Sequence, residues 1–191
     1  ITHSDGSTVT TKTEPDGSTT TERRDENGSV GTVTTDADGK TEIRTTLSEN
    51  AVSNAKKTAS PVAAPISVQA EKNSISAPQI HITLPQNAEK TKVEISVSNV
   101  NSGTVAILLH EDGTEEILKT SLPTQNGLLI EATGNMTIKI VDNSKDFADT
   151  RNHWSREDVN FIASRNLFAG IGNGNFGPKE PMTRGMVNTV V

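Results

Sequence analysis

The chain has 191 residues, a formal net charge of −6 and no cysteine. The absence of cysteine excludes disulfides, thiolate metal sites and cysteine nucleophiles, and the absence of a Lys/Arg block argues against nucleic-acid binding. Hydrophobic residues make up 31% of the chain and aromatic residues 3%, so we expect the core to be concentrated in one part of it. No apolar run approaches the roughly 18 residues that suggest a membrane span.

A short repeat occupies residues 1–42. Asp-Gly and Asn-Gly favour two-residue hairpins with type I′ turns, and the Thr and Val between them favour strands. We predict a Thr-rich antiparallel β-meander that forms a solvated single-layer stalk, with a flexible linker as the alternative. The turn dipeptides recur every 11 residues, at Asp5-Gly6, Asp16-Gly17, Asn27-Gly28 and Asp38-Gly39. The nearest approach to an inner face is a β-branched series: Thr10, Thr21, Thr32 and Ile43.

One of these turns also has a pattern found in calcium loops. Carboxylates alternate before a glycine in Asp36-Ala37-Asp38-Gly39, but the third ligand pair and the bidentate Glu at position 12 of an EF-hand are missing. The equivalent positions of the neighbouring repeats carry Pro15-Asp16 and Glu26-Asn27. A turn requirement explains that variation better than a metal does.

Residues 43–142 have a different pattern, which predicts a β-rich module with one short helix. Ser48 is placed to cap a helix that runs through Lys57. Short apolar segments separated by turn residues follow, and their spacing predicts an all-β sandwich or barrel. The run Val105–Leu109 does not alternate with polar residues, so we expect a central strand that is buried on both faces.

Residues 143–191 are predicted to form a small helix–loop–helix unit. Ser155 precedes an apolar pattern and Asp158 follows three residues later, which predicts a helix over about 156–165 with a capping-box-like start. Asn166 ends that helix. A glycine-rich loop follows, since it contains Gly170, Gly172 and Gly174. Thr183 is the predicted N-cap of a second helix.

Candidate chemical sites are few. A His81/His110 metal pair lacks a third ligand at suitable spacing, and the glycines at 170–174 follow a helix, whereas a dinucleotide fingerprint follows a strand. No Gly-x-Ser-x-Gly elbow is present, and the acidic pairs Glu115-Glu116 and Glu157-Asp158 are adjacent rather than opposed across a cleft. We therefore predict no catalytic residues, no metal site and no cofactor.

The landmarks of the C-terminal segment resemble one S-layer homology unit. In chain order they are Phe147 and Asp149, His153-Trp154 opening a helix, the glycine loop ending in Asn175-Phe176-Gly177-Pro178, and Met182-Thr183-Arg184 opening a second helix. The preceding β-rich module is similar to segments found directly before such units in bacterial surface proteins. The second helix departs from the family pattern, because Gly185-Met186 stands where most members have Ala-Glu. That departure weakens the helix start.

The resemblance implies a carbohydrate-binding role for Asp149, Trp154 and Arg184. In this family the Arg lies in a groove that receives pyruvylated wall polysaccharide, and a guanidinium recognises carboxylates in a bidentate manner. Asp149 matches an early acidic position that accepts sugar hydroxyls or caps the entering chain. Trp154 has two interpretations of equal weight, core packing and ligand stacking.

We therefore expect a mainly β protein with a small α-helical C-terminal unit, divided into a repeat (1–42), a β module (43–142) and an S-layer homology unit (143–191). Its predicted role is non-catalytic anchoring of an extracellular surface protein to pyruvylated secondary cell-wall polysaccharide, with further such units in the same parent chain. Because the sequence opens on Ile1 and ends inside a predicted helix, we expect a segment of a longer exported protein. The main alternative is an adhesin or ligand-binding β domain, and a hydrolase fragment is a remote third.

Overall fold

The computed structural model describes residues 1–86 and 88–181. Within those ranges the protein is mainly β with a small C-terminal helix, as predicted. The strands are β1 Thr8–Thr13, β2 Thr19–Arg24, β3 Val30–Thr35, β4 Thr41–Thr46, β5 Val62–Val68, β6 Gln79–Thr83, β7 Thr91–Val97, β8 Thr104–Leu109, β9 Glu115–Ile117, β10 Leu122–Pro123, β11 Gly127–Ala132 and β12 Met136–Asp142. The helices are α1 Glu49–Thr58 and α2 Arg156–Ser164.

The strands form two sheets. The larger has eight strands in the order β1-β2-β3-β4-β6-β12-β8-β9, and the smaller has four in the order β10-β11-β7-β5. One apolar core lies between them and contains residues of both, such as Ile80, Ile138, Val93 and Ile130. The arrangement is a sandwich in which the larger sheet extends past the smaller one.

Strands β1–β4 form the predicted antiparallel meander, but the predicted type I′ turns are wrong. A type I′ turn needs positive φ at both central residues, and in these turns only the glycine has it, as at Gly17 (φ 88°). The Gly17 N–H donates to the carbonyl of Glu14 at 3.0 Å, and the Glu14 N–H donates to the carbonyl of Ser18 at 2.9 Å. Each connection is therefore a tight turn followed by a glycine bulge.

The turn aspartates bind backbone amides, which is the role favoured over calcium. Asp36 Oδ1 accepts the N–H groups of Asp38 at 3.1 Å and Lys40 at 2.8 Å. Asp16 Oδ1 accepts the Ser18 N–H at 2.9 Å. The hydrogen bond from the Ser18 hydroxyl, and after it the one from the Ser18 N–H, lowers the pKa of Asp16. The carboxylates thus complete the turns by Asx-type hydrogen bonds.

The predicted inner face of the meander is also wrong. Partners on one face of these strands are separated alternately by 12 and 10 residues, as in Thr10, Glu22 and Thr32. Residues spaced by a constant 11 positions therefore lie on opposite faces of the sheet in successive strands. The row that turns inward instead is Thr11, Thr21, Val33 and Ile43.

The inner half of the meander belongs to the sandwich, so a solvated single-layer stalk is wrong for β3 and β4. Strand β4 pairs in parallel with β6, with Ile43 opposite Ile80, and Ile43 is buried. At Gly31 an added Cβ would lie 2.2 Å from the carbonyl oxygen of Pro65 in β5, so β3 packs directly against the smaller sheet. The boundary proposed at residue 42 falls inside β4, and independent folding on its two sides stays a prediction.

The local predictions for the β module agree with the structure. Ser48 caps α1, since its hydroxyl accepts the Ala51 N–H at 3.0 Å. Strand β8 lies inside the larger sheet and is buried on both faces, as predicted. Ala106 faces the main core, while Val105 and Ile107 face a second apolar cluster with Ala77 and Val141.

Candidate functional site: the C-terminal unit and its junction

Helix α2 confirms the predicted helix over about 156–165, but its predicted cap is wrong. Ser155 makes no side-chain capping bond, because its hydroxyl lies 2.8 Å from Nδ1 of His153. The helix ends at Asn166, which adopts positive φ (54°). Asn166 therefore stops the helix by the left-handed conformation that Asn tolerates well.

Asp149 fastens the glycine loop to the segment that enters α2. Its Oδ1 accepts the Phe176 N–H at 2.9 Å and its Oδ2 accepts the Gly177 N–H at 2.8 Å. These bonds lower the pKa of Asp149, the Phe176 amide most. The ring of Phe176 also packs edge-on against Phe147, with centroids 5.4 Å apart. Asp149 therefore binds the amides of the glycine loop rather than capping the entering chain, and its contact with sugar hydroxyls stays a prediction.

Trp154 does not pack in a core formed by the described residues, which contradicts the core-packing interpretation. The residue is 86% exposed, and its indole lies beside the imidazole of His153 with centroids 5.4 Å apart. The apolar positions of α2 that are buried are Val159 and Ala163. Trp154 lies in the turn before α2 and points outward, which leaves a large aromatic surface available to a ligand or to a neighbouring unit.

Arg184 and the second helix lie outside the described residues. The same holds for Met182 and Thr183, and for the departure at Gly185-Met186. The structure therefore relates Asp149 to the glycine loop but does not relate Asp149 or Trp154 to Arg184.

Sequence reasoning missed Arg165, which joins the C-terminal unit to the β module. Its relative exposure is 0%, and its guanidinium donates to three carbonyl groups of the β module. These bonds are Nε to Ser121 at 2.9 Å, one terminal nitrogen to Ser102 at 3.0 Å and the other to Thr104 at 2.9 Å. Burial lowers the pKa of Arg165 to about 10. No carboxylate among residues 1–86 and 88–181 forms a salt bridge with it.

Other polar side chains hold α2 against the loop that precedes β8 and the segment that follows β12. Asn160 accepts the Lys145 N–H at 2.8 Å and donates to the Ser102 hydroxyl at 2.8 Å. That hydroxyl donates to Glu157 at 2.7 Å. Asn143 donates to the carbonyl of Ser164, at the end of the helix. The junction is thus a hydrogen-bonded interface along the length of α2.

A shallow groove of about 510 Å³ opens beside this junction. Its wall contains Asn101 of the β module and residues of the C-terminal unit. The charged side chains among them are Lys145, Arg151, Arg156, Asp146 and Glu157, and Arg151 is paired with Asp146 at 2.6 Å. The groove therefore carries charges of both signs.

A hydroxyl, an imidazole and a carboxylate are linked on the larger sheet. His81 lies 3.0 Å from Glu42 through Nε2 and 3.0 Å from the Thr137 hydroxyl through Nδ1. A hydroxyl–imidazole–carboxylate series also occurs in nucleophilic catalysis, but that chemistry needs backbone donors for the oxyanion. Thr137 lies in β12, which pairs with strands on both sides, so its neighbouring amides are used in the sheet.

The two strand histidines are separated. Strand β12 lies between the strand of His81 and the strand that leads to His110, and His110 is paired with Glu116 at 3.1 Å. In the described part of the chain no group of three or more His, Cys, Asp or Glu side chains is placed to hold a metal ion. The described helices also include none with the length and apolarity of a membrane span.

Comparison with known proteins identifies the C-terminal unit. The family model for the S-layer homology domain matches residues 146–185, which include the entry segment, α2 and the glycine loop described above. The chain has no significant similarity to any curated protein or to any solved structure. S-layer homology domains are non-catalytic anchoring domains that bind cell-wall polymers, so the match indicates cell-surface association.

Proposed function

We propose that this chain, which carries an S-layer homology domain at residues 146–185, anchors an extracellular bacterial surface protein non-covalently to pyruvylated secondary cell-wall polysaccharide. The chain has no catalytic role in this proposal. The β module and the meander space the anchor from whatever the longer protein displays. Further S-layer homology units in that protein complete the binding groove.

The observation that carries the proposal is an exposed aromatic side chain, Trp154, in the same unit as a fastened glycine loop. Trp154 is 86% exposed, and a large exposed aromatic ring is the usual surface for stacking on a sugar face. The glycine loop beside α2 is held by both oxygens of Asp149. A rigid loop loses less entropy when it binds than a mobile one does.

Arg184 supplies the charge recognition in this proposal. A guanidinium pairs with a carboxylate through two parallel hydrogen bonds, and a pyruvyl group on the polysaccharide provides that carboxylate. Arg184 lies outside the described residues, so its role rests on the resemblance and on this chemistry.

The experiment measures co-sedimentation with purified cell walls for a longer protein that carries this chain and its further units. Trp154→Ala and Arg184→Ala are each expected to weaken binding, Arg184→Ala by about 1.5–3 kcal/mol because a charge-assisted contact is lost. Neither variant is expected to lower the melting temperature appreciably. Ile171→Ala, which removes another exposed side chain of the same unit, is the control. Unchanged wall affinity in both variants would remove these residues from the site.

A second candidate function rests on a different groove. A cleft of about 710 Å³ opens at one end of the two sheets and is lined by Glu42, His81 and Lys139. Ile75, also in its wall, is 95% exposed. This combination of polar groups and an exposed apolar side chain supports an adhesive or ligand-binding β module. A glycan or peptide array probed with the chain tests it, and a ligand whose binding is lost in Ile75→Glu but kept in Trp154→Ala would support it.

A further inference from the structure

The interface between α2 and the β module has a feature that wall binding alone does not require. Arg165 is the largest of the fully buried side chains, and it belongs to the C-terminal unit while its main hydrogen-bond partners belong to the β module. We propose that the carbonyl groups of Ser102, Thr104 and Ser121 form a docking site for this guanidinium, which makes the β module and the anchoring unit one cooperative folding unit.

The donor geometry supports a specific docking site. All three guanidinium nitrogens are used, since Nε and the two terminal nitrogens each donate to a different β-module carbonyl. One terminal nitrogen also donates to the Phe161 carbonyl at 2.9 Å and to the Ser164 hydroxyl at 3.0 Å within the helix. The Phe161 ring lies 3.8 Å from the guanidinium carbon, where cation–π attraction is favourable.

The absence of a paired carboxylate in the described ranges makes these contacts obligatory. A buried charge is costly unless its hydrogen bonds are made, and here the three bonds to Ser102, Thr104 and Ser121 are made only when α2 lies against the β module. Separation of the two parts would leave the carbonyls without these donors and return the guanidinium to water. A lysine has three donors on a point charge and cannot reproduce the planar set of contacts.

Docking of Arg165 fixes the orientation of the β module relative to the anchoring unit. If the two parts were joined by a flexible linker, the anchor would determine only where the β module is attached to the wall. With Arg165 docked, and with Asn160 and Glu157 bonded to Ser102, the anchor also fixes how the two sheets are oriented. The docking site is therefore specific for a unit with an arginine at the end of its first helix, whichever wall polymer that unit binds.

Hydrogen exchange on the intact 191-residue chain tests the proposal without any substitution. The amides of α2 are expected to exchange with the same opening free energy as those of β8, because local opening of α2 would break the docking site. If the α2 amides exchange at least tenfold faster than those of β8 in the wild-type chain, the two parts open separately and the proposal is wrong.

Substitution of Arg165 tests whether this residue couples α2 to the β module. Arg165→Gln and Arg165→Lys are expected to speed exchange of α2 by at least tenfold more than they speed exchange of β7 and β11, on the other sheet. Arg156→Gln is the matched control, since Arg156 lies at the other end of the same helix and is exposed. If the exchange rates of α2 are unchanged, Arg165 is dispensable and the proposal is overturned. If α2 and both sheets lose protection equally, Arg165 acts as an ordinary core residue, and the proposal is overturned as well. If Arg165→Gln does not fold, the proposal is tested by the exchange rates of Arg165→Lys and by the comparison of α2 with β8 in the wild-type chain.

Discussion

The two halves of the eight-stranded sheet show how one backbone pattern is stabilised in two ways. Strands β1 and β2 present Thr and charged residues on both faces and are mostly exposed, whereas β6, β12 and β8 are covered on at least one face by the apolar core. The first half is stabilised by backbone hydrogen bonds between its strands and by aspartates that complete its turns. The second half is stabilised by burial of apolar side chains. Backbone pairing alone is a weak source of stability, so the outer half depends on the inner one.

The largest contrast is expected from truncation of a core side chain. Ile80 is 1% exposed in β6, and Ile80→Ala should destabilise the chain by about 2–5 kcal/mol through lost burial and the cavity left behind. Thr10→Ala, at an exposed position of β1, should change stability by less than about 0.5 kcal/mol. Chemical denaturation of the two variants measures the difference. Equal losses would show that the outer strands contribute to the core.

The contact between β3 and β5 is tested by Gly31→Ala. The added methyl would lie 2.2 Å from the Pro65 carbonyl, so the sheets must move apart, at a cost of about 1–3 kcal/mol for overpacking. Gly134→Ala is the matched control, because an added Cβ there meets no atom within 4 Å. Thermal unfolding compares the two variants. A neutral Gly31→Ala would indicate that β3 is not held against the smaller sheet.

An acidic residue in the buried half should contribute to stability that depends on pH. Burial alone would raise the pKa of Asp142, but hydrogen bonds from Lys72, Ser144 and Asn101 outweigh it and lower the pKa to about 2. Because the folded pKa lies below the unfolded one, the stabilisation is present above about pH 4 and is lost as the pH falls towards 2. It amounts to at most about 2 kcal/mol.

Denaturation between pH 7 and pH 2 measures this contribution. Asp142→Asn should be less stable than the wild type at pH 7 and should lose less stability over the acidic range. Asp16→Asn changes an exposed turn carboxylate whose pKa is also lowered, and it serves as the comparison in the outer half. A parallel pH profile for the wild type and Asp142→Asn would contradict the assignment.

The smallest effect is expected from deletion of residues 1–24, which removes β1 and β2. The remaining chain should unfold in a single cooperative transition with a slightly lower melting temperature, since the inner strands β3 and β4 keep their contacts with β5 and β6. Circular dichroism and calorimetry check this. Loss of the remaining β signal would show that the outer strands are required for folding.

The elements that were predicted correctly are those whose signals are local. Ser48 caps α1, the unbroken apolar run forms β8, and Asn166 ends α2. Each depends on a few adjacent residues. The inner face of the meander was predicted wrongly, because it depends on the strand register. The five-residue spacing between strands sets that register, whereas the prediction used the 11-residue period of the sequence.

The junction was beyond sequence reasoning for a different reason. The partners of Arg165 are backbone carbonyls of residues 102–121, and a carbonyl has no sequence signal. An arginine at the end of a helix is usually predicted to be solvent-exposed and to interact favourably with the helix dipole. Trp154 shows the converse, since a lone Trp favours a core position by composition but lies here in an exposed turn.

The central claim is that the chain anchors its protein to an anionic wall polysaccharide through the S-layer homology unit. The most direct measurement is co-sedimentation of the longer protein with cell walls before and after chemical removal of the secondary polysaccharide, with peptidoglycan left intact. We expect binding to untreated walls and loss of binding to stripped walls. We also expect weak or no binding by the 191-residue chain as a monomer, because a single unit is matched in it. Undiminished binding of the longer protein to stripped walls would contradict anchoring by the polysaccharide.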